Sequence, residues 1–266
     1  MRRDVPRSRM CTQEELTSPS FQRWATTLRE PHMGLHRKLW EWCFIVEILE
    51  RDEMLIPGKK GLGFAVGHEP LAAHFASRGV QVIASDVDVK RAEDSGWVAS
   101  YEHASSLEKL NDRGICPARE FARLVEFRTI DMLDFDPKEL SAFDFVWSSC
   151  AFEHLGSLEA GLRYVAESVK CLKPGGLAVH TTEFNVSSND ETVSEGGTVI
   201  YRERDLEGLA ADLRSQGHFI SLDFNRGTHP ADYFVDVPPY VQDTHLKLHL
   251  MGHTTTSIGI VVRRGG

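Results

Sequence analysis

Hydrophobic positions along the chain follow two periods, and segments of the two kinds alternate. Residues 35–50 carry apolar side chains every three or four positions, which predicts an amphipathic helix that ends before Pro57 and Gly58. After this break, short apolar runs alternate with helical stretches, an order typical of a parallel α/β sheet. The pattern predicts one domain with helices on both faces of the sheet, preceded by a loosely ordered arm over residues 1–30.

Short apolar runs bounded by polar or turn-forming residues predict the strands. In chain order they are residues 60–65, 80–85, 125–130, 143–149, 177–184, 219–224 and 256–263. Helices are predicted over residues 70–77, 158–172 and 203–216, with one or two more between 88 and 123. The stretch 173–176, of sequence KPGG, predicts a sharp turn before the fifth strand.

These elements divide the chain into four parts. We expect an N-terminal arm and helix over 1–54, a ligand-binding core over 55–225, a lid over 226–255 and a last strand over 256–266. The third part is assigned as a substrate lid because compact domains seldom keep so long a connection unless it binds something. Within it, His245, Lys247 and His249 alternate with leucines, which favours either a solvated strand face or polar contacts with substrate over a metal site.

Charge and composition narrow the function. The 266 residues include 30 basic and 39 acidic side chains, a net charge of −9, which disfavours binding to nucleic acid. No apolar stretch approaches the roughly 20 residues of a membrane span. The five cysteines form no CxxC pair, which favours reduced thiols in the cytoplasm over disulfides or a zinc site.

A glycine-rich segment after the first strand is the first candidate for chemistry. Gly61, Gly63 and Gly67 lie between that strand and a helix, and Asp86 ends the second strand 19 residues after Gly67. Backbone N–H groups of such a loop can hold a ligand, and an acid at the second strand can accept both ribose hydroxyls of an adenosine. The spacing departs from the G-x-G-x-x-G of dinucleotide-binding proteins, since the sixth position of that motif is Val66 when Gly61 is counted as the first.

Further motifs follow in a fixed order along the chain. Asp131 follows the third strand, the fourth strand begins with the sequence FDFV, a Glu153-His154-Leu155 stretch comes after it, and LKPGG precedes the fifth strand. With Gly63-x-Ala65-x-Gly67 and Asp86, this combination resembles the class I S-adenosylmethionine-dependent methyltransferases, in particular the branch that acts on small molecules. The resemblance covers about residues 55–225 and the last strand.

The resemblance implies a Rossmann-like sandwich, with seven mostly parallel strands, an antiparallel last strand and helices on both faces. It implies S-adenosylmethionine as cofactor and a small-molecule acceptor, with oxygen favoured over nitrogen or carbon. The implied cofactor-binding residues are Gly63, Ala65, Gly67, Asp86, Asp131, Met132 and Ser149. Two positions depart from the family pattern: Gly61 replaces an acid that contacts the methionine amino group, and Ala65 replaces the middle glycine of the loop.

A hydroxyl acceptor needs a base, and histidine has the best-matched pKa near neutral pH. His154 follows the fourth strand, where the family places the transferable methyl group. An equally good interpretation makes it a structural histidine at the start of a helix. His180 and Glu183, at the end of the fifth strand, are the next candidates, and no metal is predicted.

Two other functions fit parts of the pattern. A nicotinamide-dependent oxidoreductase fits the acid at the second strand but not the loop spacing or LKPGG. A non-catalytic protein that binds S-adenosylmethionine fits the departures at Gly61 and Ala65.

Overall fold

The computed structural model of the chain describes residues 6–88, 107–241 and 243–266. The helices in these residues are α1 (Gln13–Leu16), α2 (Pro19–Thr27), α3 (Arg37–Arg51), α4 (Leu71–Ser77), α5 (Ala118–Leu124), α6 (Leu158–Lys170), α7 (Glu203–Ser215) and α8 (Pro230–Tyr233). Short 3₁₀ turns occur at Pro31–Met33, Leu107–Asn111 and Phe152–His154. Most of the helices predicted between residues 88 and 123 would fall on 89–106, outside the described residues.

The strands are β1 (Arg7–Met10), β2 (Leu35–His36), β3 (Lys60–Gly63), β4 (Gln81–Asp86), β5 (Val125–Thr129), β6 (Phe143–Ser149), β7 (Gly156–Ser157), β8 (Leu172–Asn185), β9 (Glu195–Gly196), β10 (Phe219–Asp223), β11 (Thr244–His245), β12 (Lys247–Leu250) and β13 (His253–Arg263). The main sheet has nine of them, in the order β1-β10-β13-β8-β6-β3-β4-β5, with β12 paired to β13.

The centre of this sheet confirms the predicted mostly parallel architecture. Strand β3 pairs in parallel with β4 and β6, and the parallel set continues to β5 on one side and β8 on the other. Strand β13 inserts antiparallel between β8 and β10, as expected for the last strand. The chain order reverses beside β3, and such a reversal opens a crevice at the carboxyl ends of parallel strands.

Residues 6–30 of the N-terminal arm are packed against the rest of the fold, which corrects the expectation of a loose segment. Strand β1 pairs with β10 and β13, and the buried Ser8 hydroxyl accepts a hydrogen bond of 2.9 Å from the Val261 amide. Phe21 and Trp24 of α2 are buried in the core against α3. The contacts of β1 join residues more than 200 positions apart, so no local pattern of the arm could reveal them.

One further expectation about a connection is wrong. The stretch 173–176 does not precede the fifth strand; it lies inside β8, where the pairing with β6 shifts register and Gly175 adopts φ +81°. Within the segment 226–255, β12 pairs with β13 of the main sheet and α8 contacts α1, and its role as a substrate lid stays a prediction.

Helices cover both faces of the sheet, and each face has its own hydrophobic core. Helices α2, α3, α4 and α5 pack on one face, around residues such as Phe44, Phe75 and Trp147. Helices α6 and α7 pack on the other face, around Tyr164 and Tyr201. Small residues allow close approach at several points, above all Gly161 of α6, where a Cβ would collide with the Tyr201 hydroxyl and lie 2.7 Å from the Phe152 carbonyl oxygen.

Two helical glycines therefore predict opposite effects of the same substitution. We expect Gly161→Ala to lower the free energy of unfolding by about 1–3 kcal/mol, because the added methyl has no room. Gly208→Ala on α7 should raise it by about 0.5–1 kcal/mol, since Gly208 is exposed and its Cβ would meet no atom within 4 Å. Urea denaturation of both variants measures the difference, and equal effects would contradict the packing described for α6.

Candidate active site

A cavity of about 290 Å³ opens at the carboxyl ends of β3, β4 and β6, where the strand order reverses. Its walls come from the segments that follow the strands, at residues 65–69, 86–87, 131–132, 149–151 and 154–155. Lys38 and Trp42 of α3, together with Arg113, close it from above. Helix α3 therefore covers the cavity, whereas no described residue between 226 and 255 lines it.

The loop after β3 is held in a strained, tightly packed form. A Cβ at Gly63 would collide with the Trp147 ring and lie 2.6 Å from Val66, and one at Gly61 would collide with Phe145. Ala65 and Gly67 both adopt φ +48°, a left-handed conformation that disfavours residues with a Cβ. Glycine is therefore required at 61 and 63 by packing, while Ala65 occupies a conformation that suits glycine better.

Asp86 ties this loop to the end of β4. Its Oδ2 accepts a hydrogen bond of 3.2 Å from the Gly67 amide, and Oδ1 accepts one of 2.9 Å from Val87. The side chain is 4% exposed and lines the cavity beside Ala65 and Gly67. The carboxylate thus contributes both to the loop geometry and to the cavity wall.

The other predicted cofactor residues surround the same space, with one exception. Asp131 and the buried Met132 lie at the β5 end, and Oδ1 of Asp131 accepts a hydrogen bond of 2.9 Å from Leu133. Ser149 lies at the β6 end and donates a hydrogen bond of 3.2 Å to Glu41. Gly63 lies behind the loop rather than in the cavity wall.

Glu69 is a cavity residue that the sequence reasoning missed. Its Oε1 accepts a hydrogen bond of 2.5 Å from the Trp147 indole, and the side chain lines the cavity although the residue is only 5% exposed. Burial raises the pKa of Glu69 to about 8, although Trp147 and Lys38 act in the opposite direction. The absence of an acid at position 61 was the available signal, since it could have directed attention to acids elsewhere near the loop.

Of the three candidate catalytic residues, His154 lines the cavity. Its Nδ1 lies 2.9 Å from the Gly197 carbonyl oxygen, to which it can only donate. In the neutral ring this bond leaves Nε2 as the nitrogen that accepts a proton. This tautomer and the position of His154 in the cavity wall fit a catalytic base. The bond to Gly197 equally fits the alternative, a structural histidine that stabilises the chain after β6.

His180 lies outside the cavity, in the core beneath it. Its Nδ1 is 2.8 Å from the Ser148 hydroxyl, its Nε2 is 3.0 Å from the Ser168 hydroxyl, and burial lowers its pKa to about 3. It is therefore a neutral, fully bonded histidine, and its position disagrees with contact to substrate. The reason is strand geometry, since His180 points to the face that α6 covers.

Glu183 points to the opposite face of β8, toward α3, and it does not line the cavity either. Its Oε2 lies 2.9 Å from the Arg37 guanidinium, which also donates a hydrogen bond of 3.0 Å to Ser257 and lies 3.6 Å from Glu41. Burial raises the pKa of Glu183 and Arg37 opposes that effect, whereas Lys38 and Arg37 overcome burial and hold the pKa of Glu41 at about 2.

Donor atoms of Cys150, Glu153 and Glu183 lie within 4.8 Å of one another, a distance that a metal ion could bridge. The Arg37 guanidinium already supplies positive charge to Glu183, so this group is better described as part of a buried ion-pair network.

The three alternating polar residues near the end of the chain do not share one environment. His245 is buried, with its Nδ1 2.7 Å from Asp236 and its ring stacked on His36 at 4.8 Å. Lys247 is also buried, and its ammonium donates hydrogen bonds to the carbonyl oxygens of Arg226 and Asp232. His249 is exposed. The interpretation of one solvated face is wrong because His245 and Lys247 are buried with hydrogen-bonded partners of their own.

Comparison with known proteins identifies relatives of this architecture. Residues 62–180 match a family model described as a methyltransferase domain, while no curated protein matches the sequence significantly. The structure is similar to magnesium protoporphyrin IX methyltransferase from Synechocystis PCC 6803 with bound SAH, with TM-score 0.53 and 13% identity over 95% of this chain and 98% of that one. A candidate sarcosine dimethylglycine methyltransferase from Galdieria sulphuraria is also similar, with TM-score 0.50 and 15% identity over 88% and 92% of the two chains. At these identities the likeness shows the fold.

No helix among the described residues has both the length and the apolar composition that crossing a bilayer requires.

The buried ion pairs of Arg37 with Glu41 and Glu183 predict that substitution of Arg37 destabilises the fold far more than substitution of an exposed arginine. Arg37→Met should lower the free energy of unfolding by about 3–5 kcal/mol, because it leaves the carboxylates of Glu41 and Glu183 buried with less compensation. The exposed pair between Arg128 and Glu126 provides the control, and Arg128→Met should change stability by less than about 1 kcal/mol. Denaturant unfolding at pH 7 tests both, and a loss near zero in Arg37→Met would refute the structural importance of the network.

Proposed function

We propose that the chain is a class I S-adenosylmethionine-dependent methyltransferase and that it transfers the methyl group to an oxygen atom of a small molecule. The observation that carries this proposal is the position of His154 in the wall of the same cavity as Asp86 and Asp131. A base and the proposed cofactor contacts therefore share one space that an acceptor hydroxyl can enter.

We assign the cofactor to this cavity, with its parts next to the carboxyl ends of β5, β4 and β6 in turn. The adenine lies near Asp131 and Met132, and the ribose hydroxyls donate to Asp86. The sulfonium end then points toward Ser149, at the end of β6. Gly63, Ala65 and Gly67 shape the loop beside the ribose, so the new bond between oxygen and methyl would form near the segment that carries His154.

The chemistry requires positioning and one proton transfer. A lone pair of the acceptor oxygen attacks the methyl carbon as the carbon–sulfur bond breaks, and the bonding electron pair returns to sulfur, which becomes neutral. The hydroxyl proton passes to Nε2 of His154, the nitrogen left unprotonated by the bond from Nδ1 to Gly197. Alignment of oxygen, methyl carbon and sulfur supplies most of the remaining rate enhancement.

Charge and enclosure support a small acceptor. The net charge of −9 disfavours phosphate backbones, and Trp42 and Lys38 cover the cavity from α3. All five cysteines are free thiols, which supports a reducing compartment such as the cytoplasm.

Loss of charge at Asp86 should weaken cofactor binding most. We expect Asp86→Asn to raise the Kd for S-adenosylhomocysteine about 10- to 100-fold, because a charged acceptor to hydroxyl groups contributes about 1.5–3 kcal/mol. Asp131→Ala should raise it less, since the adenine also packs against Met132. Isothermal titration calorimetry measures both constants.

The asparagine variant keeps an oxygen that can accept from the Val87 amide, so the end of β4 should remain folded. Asp190→Asn serves as control, because that side chain is 92% exposed on a loop outside the cavity. An unchanged Kd in Asp86→Asn would reject the cofactor assignment.

Removal of the proposed base should separate binding from turnover. His154→Ala should change the Kd for S-adenosylhomocysteine by less than about threefold and lower the methyl-transfer rate by ~10²-fold or more. Transfer of labelled methyl from S-adenosylmethionine to a metabolite extract supplies the assay, and His249→Ala is the exposed histidine control. A rate that stays near wild type would exclude His154 as the base and favour an acceptor atom that is already nucleophilic.

A further inference from the structure

Three carboxylates line the cavity among the residues that the structure describes. Asp131 lies at the β5 end and Asp86 at the β4 end, where the adenosine is assigned. Glu69 is the third, and the proposed adenosine contacts do not use it. S-Adenosylmethionine carries an ammonium group on its methionine part, and a buried ammonium requires a hydrogen-bonding partner of opposite charge.

We propose that Glu69 binds this α-ammonium group and thereby takes the place of the acid absent at position 61. The inference rests on the proposed placement of the cofactor and adds the residue that recognises its amino-acid part. Glu69 is then a binding residue that distinguishes the complete cofactor from fragments that contain only its adenosine part.

The surroundings of Glu69 fix the orientation of its carboxyl group. The Trp147 indole N–H donates to Oε1, so Oε2 is the second acceptor of the carboxyl group. Trp147 is fully buried on β6 and stacks edge-on against Phe75, which leaves it little freedom to move. The carboxyl group is therefore held in place before any ligand arrives, as a selective binding site requires.

Position 61 cannot supply this acid in the present structure. Gly61 lies directly against Phe145, and any side chain there would collide with that ring. Glu69 instead enters the cavity from the loop that precedes α4. Lys38, Glu41 and Asp86 are close enough to influence its ionisation, and Lys38 and Asp86 line the same cavity.

The protonation state of Glu69 gives a second way to detect its contact with the ammonium group. Burial raises its pKa to about 8, with Asp86 and Glu41 acting in the same direction and Trp147 and Lys38 opposing them. Glu69 is therefore mostly protonated at pH 7 in the empty cavity. An ammonium ligand favours the carboxylate, so binding should release a proton to the buffer below pH 8 and none well above it.

The decisive experiment compares two ligands on one variant. S-Adenosylhomocysteine carries the ammonium group, whereas 5′-methylthioadenosine contains the adenosine and sulfur but lacks the amino acid. Glu69→Gln should raise the Kd for S-adenosylhomocysteine about 10- to 100-fold and change that for 5′-methylthioadenosine by less than about threefold. Glutamine can still accept from Trp147, and Asp86→Asn should weaken both ligands, which makes it the matched control.

Proton release tests the inference on the unaltered protein. Titrations with S-adenosylhomocysteine at pH 7, in buffers of different ionisation enthalpy, should show release of about one proton per site, while 5′-methylthioadenosine should release close to none. Glu69→Gln should abolish the release. This measurement stands even if the variant folds poorly, which its thermal unfolding would reveal.

Equal weakening of both ligands by Glu69→Gln, or an unchanged Kd for S-adenosylhomocysteine in that variant, would overturn the assignment of Glu69. If neither ligand binds the wild-type protein, the proposed cofactor site itself fails. The two failures are distinguishable because the first still leaves a measurable wild-type affinity.

Discussion

The buried positive charge of Arg37 is the interaction on which the active-site region depends. Its guanidinium lies 2.9 Å from Glu183 on β8 and 3.6 Å from Glu41 on α3, and it donates to Ser257 on β13. Two carboxylates with almost no exposure can remain ionised there only with such compensation. Helix α3 also carries Lys38 and Trp42, which line the cavity. The ion pairs of Arg37 therefore fix the position of these two residues over the strand ends.

On the sheet below α3, close packing determines the shape of the glycine loop. Phe145 and Trp147 fill the space in which side chains at 61 and 63 would lie, so both positions require glycine for steric reasons. The left-handed conformation of Ala65 costs about 1–2 kcal/mol relative to ordinary backbone. Bonds on either side hold it, from the Val66 amide to Ser85 and from the Gly67 amide to Asp86. These bonds to the surrounding sheet thus hold the backbone of the active-site loop in a strained conformation.

The order and type of the central elements could be predicted from the sequence, since each depends on a local pattern. The run over 143–149 coincides with β6, and the periodic segment over 35–50 corresponds to α3 within two residues. Asp86 and Asp131 could be assigned to the ligand edge because an acid directly after a parallel strand must lie at its carboxyl end. The cofactor class followed from the family resemblance that these positions carry together with the glycine loop and LKPGG.

The sequence by itself therefore determined the sheet, its edge and the residues that end its strands. Tertiary structure alone decided which side chains near that edge reach the cavity. His180 and Glu183 end the same strand, yet one points to serines beneath α6 and the other to Arg37, whereas Glu69 reaches the ligand space from a loop with no distinctive motif. It also decided that the N-terminal arm forms a strand beside β13, through a bond between Ser8 and Val261. The physical reason is that strand and helix periods are local properties, while the face, the pairing partner and the charge environment of a residue depend on segments hundreds of positions away.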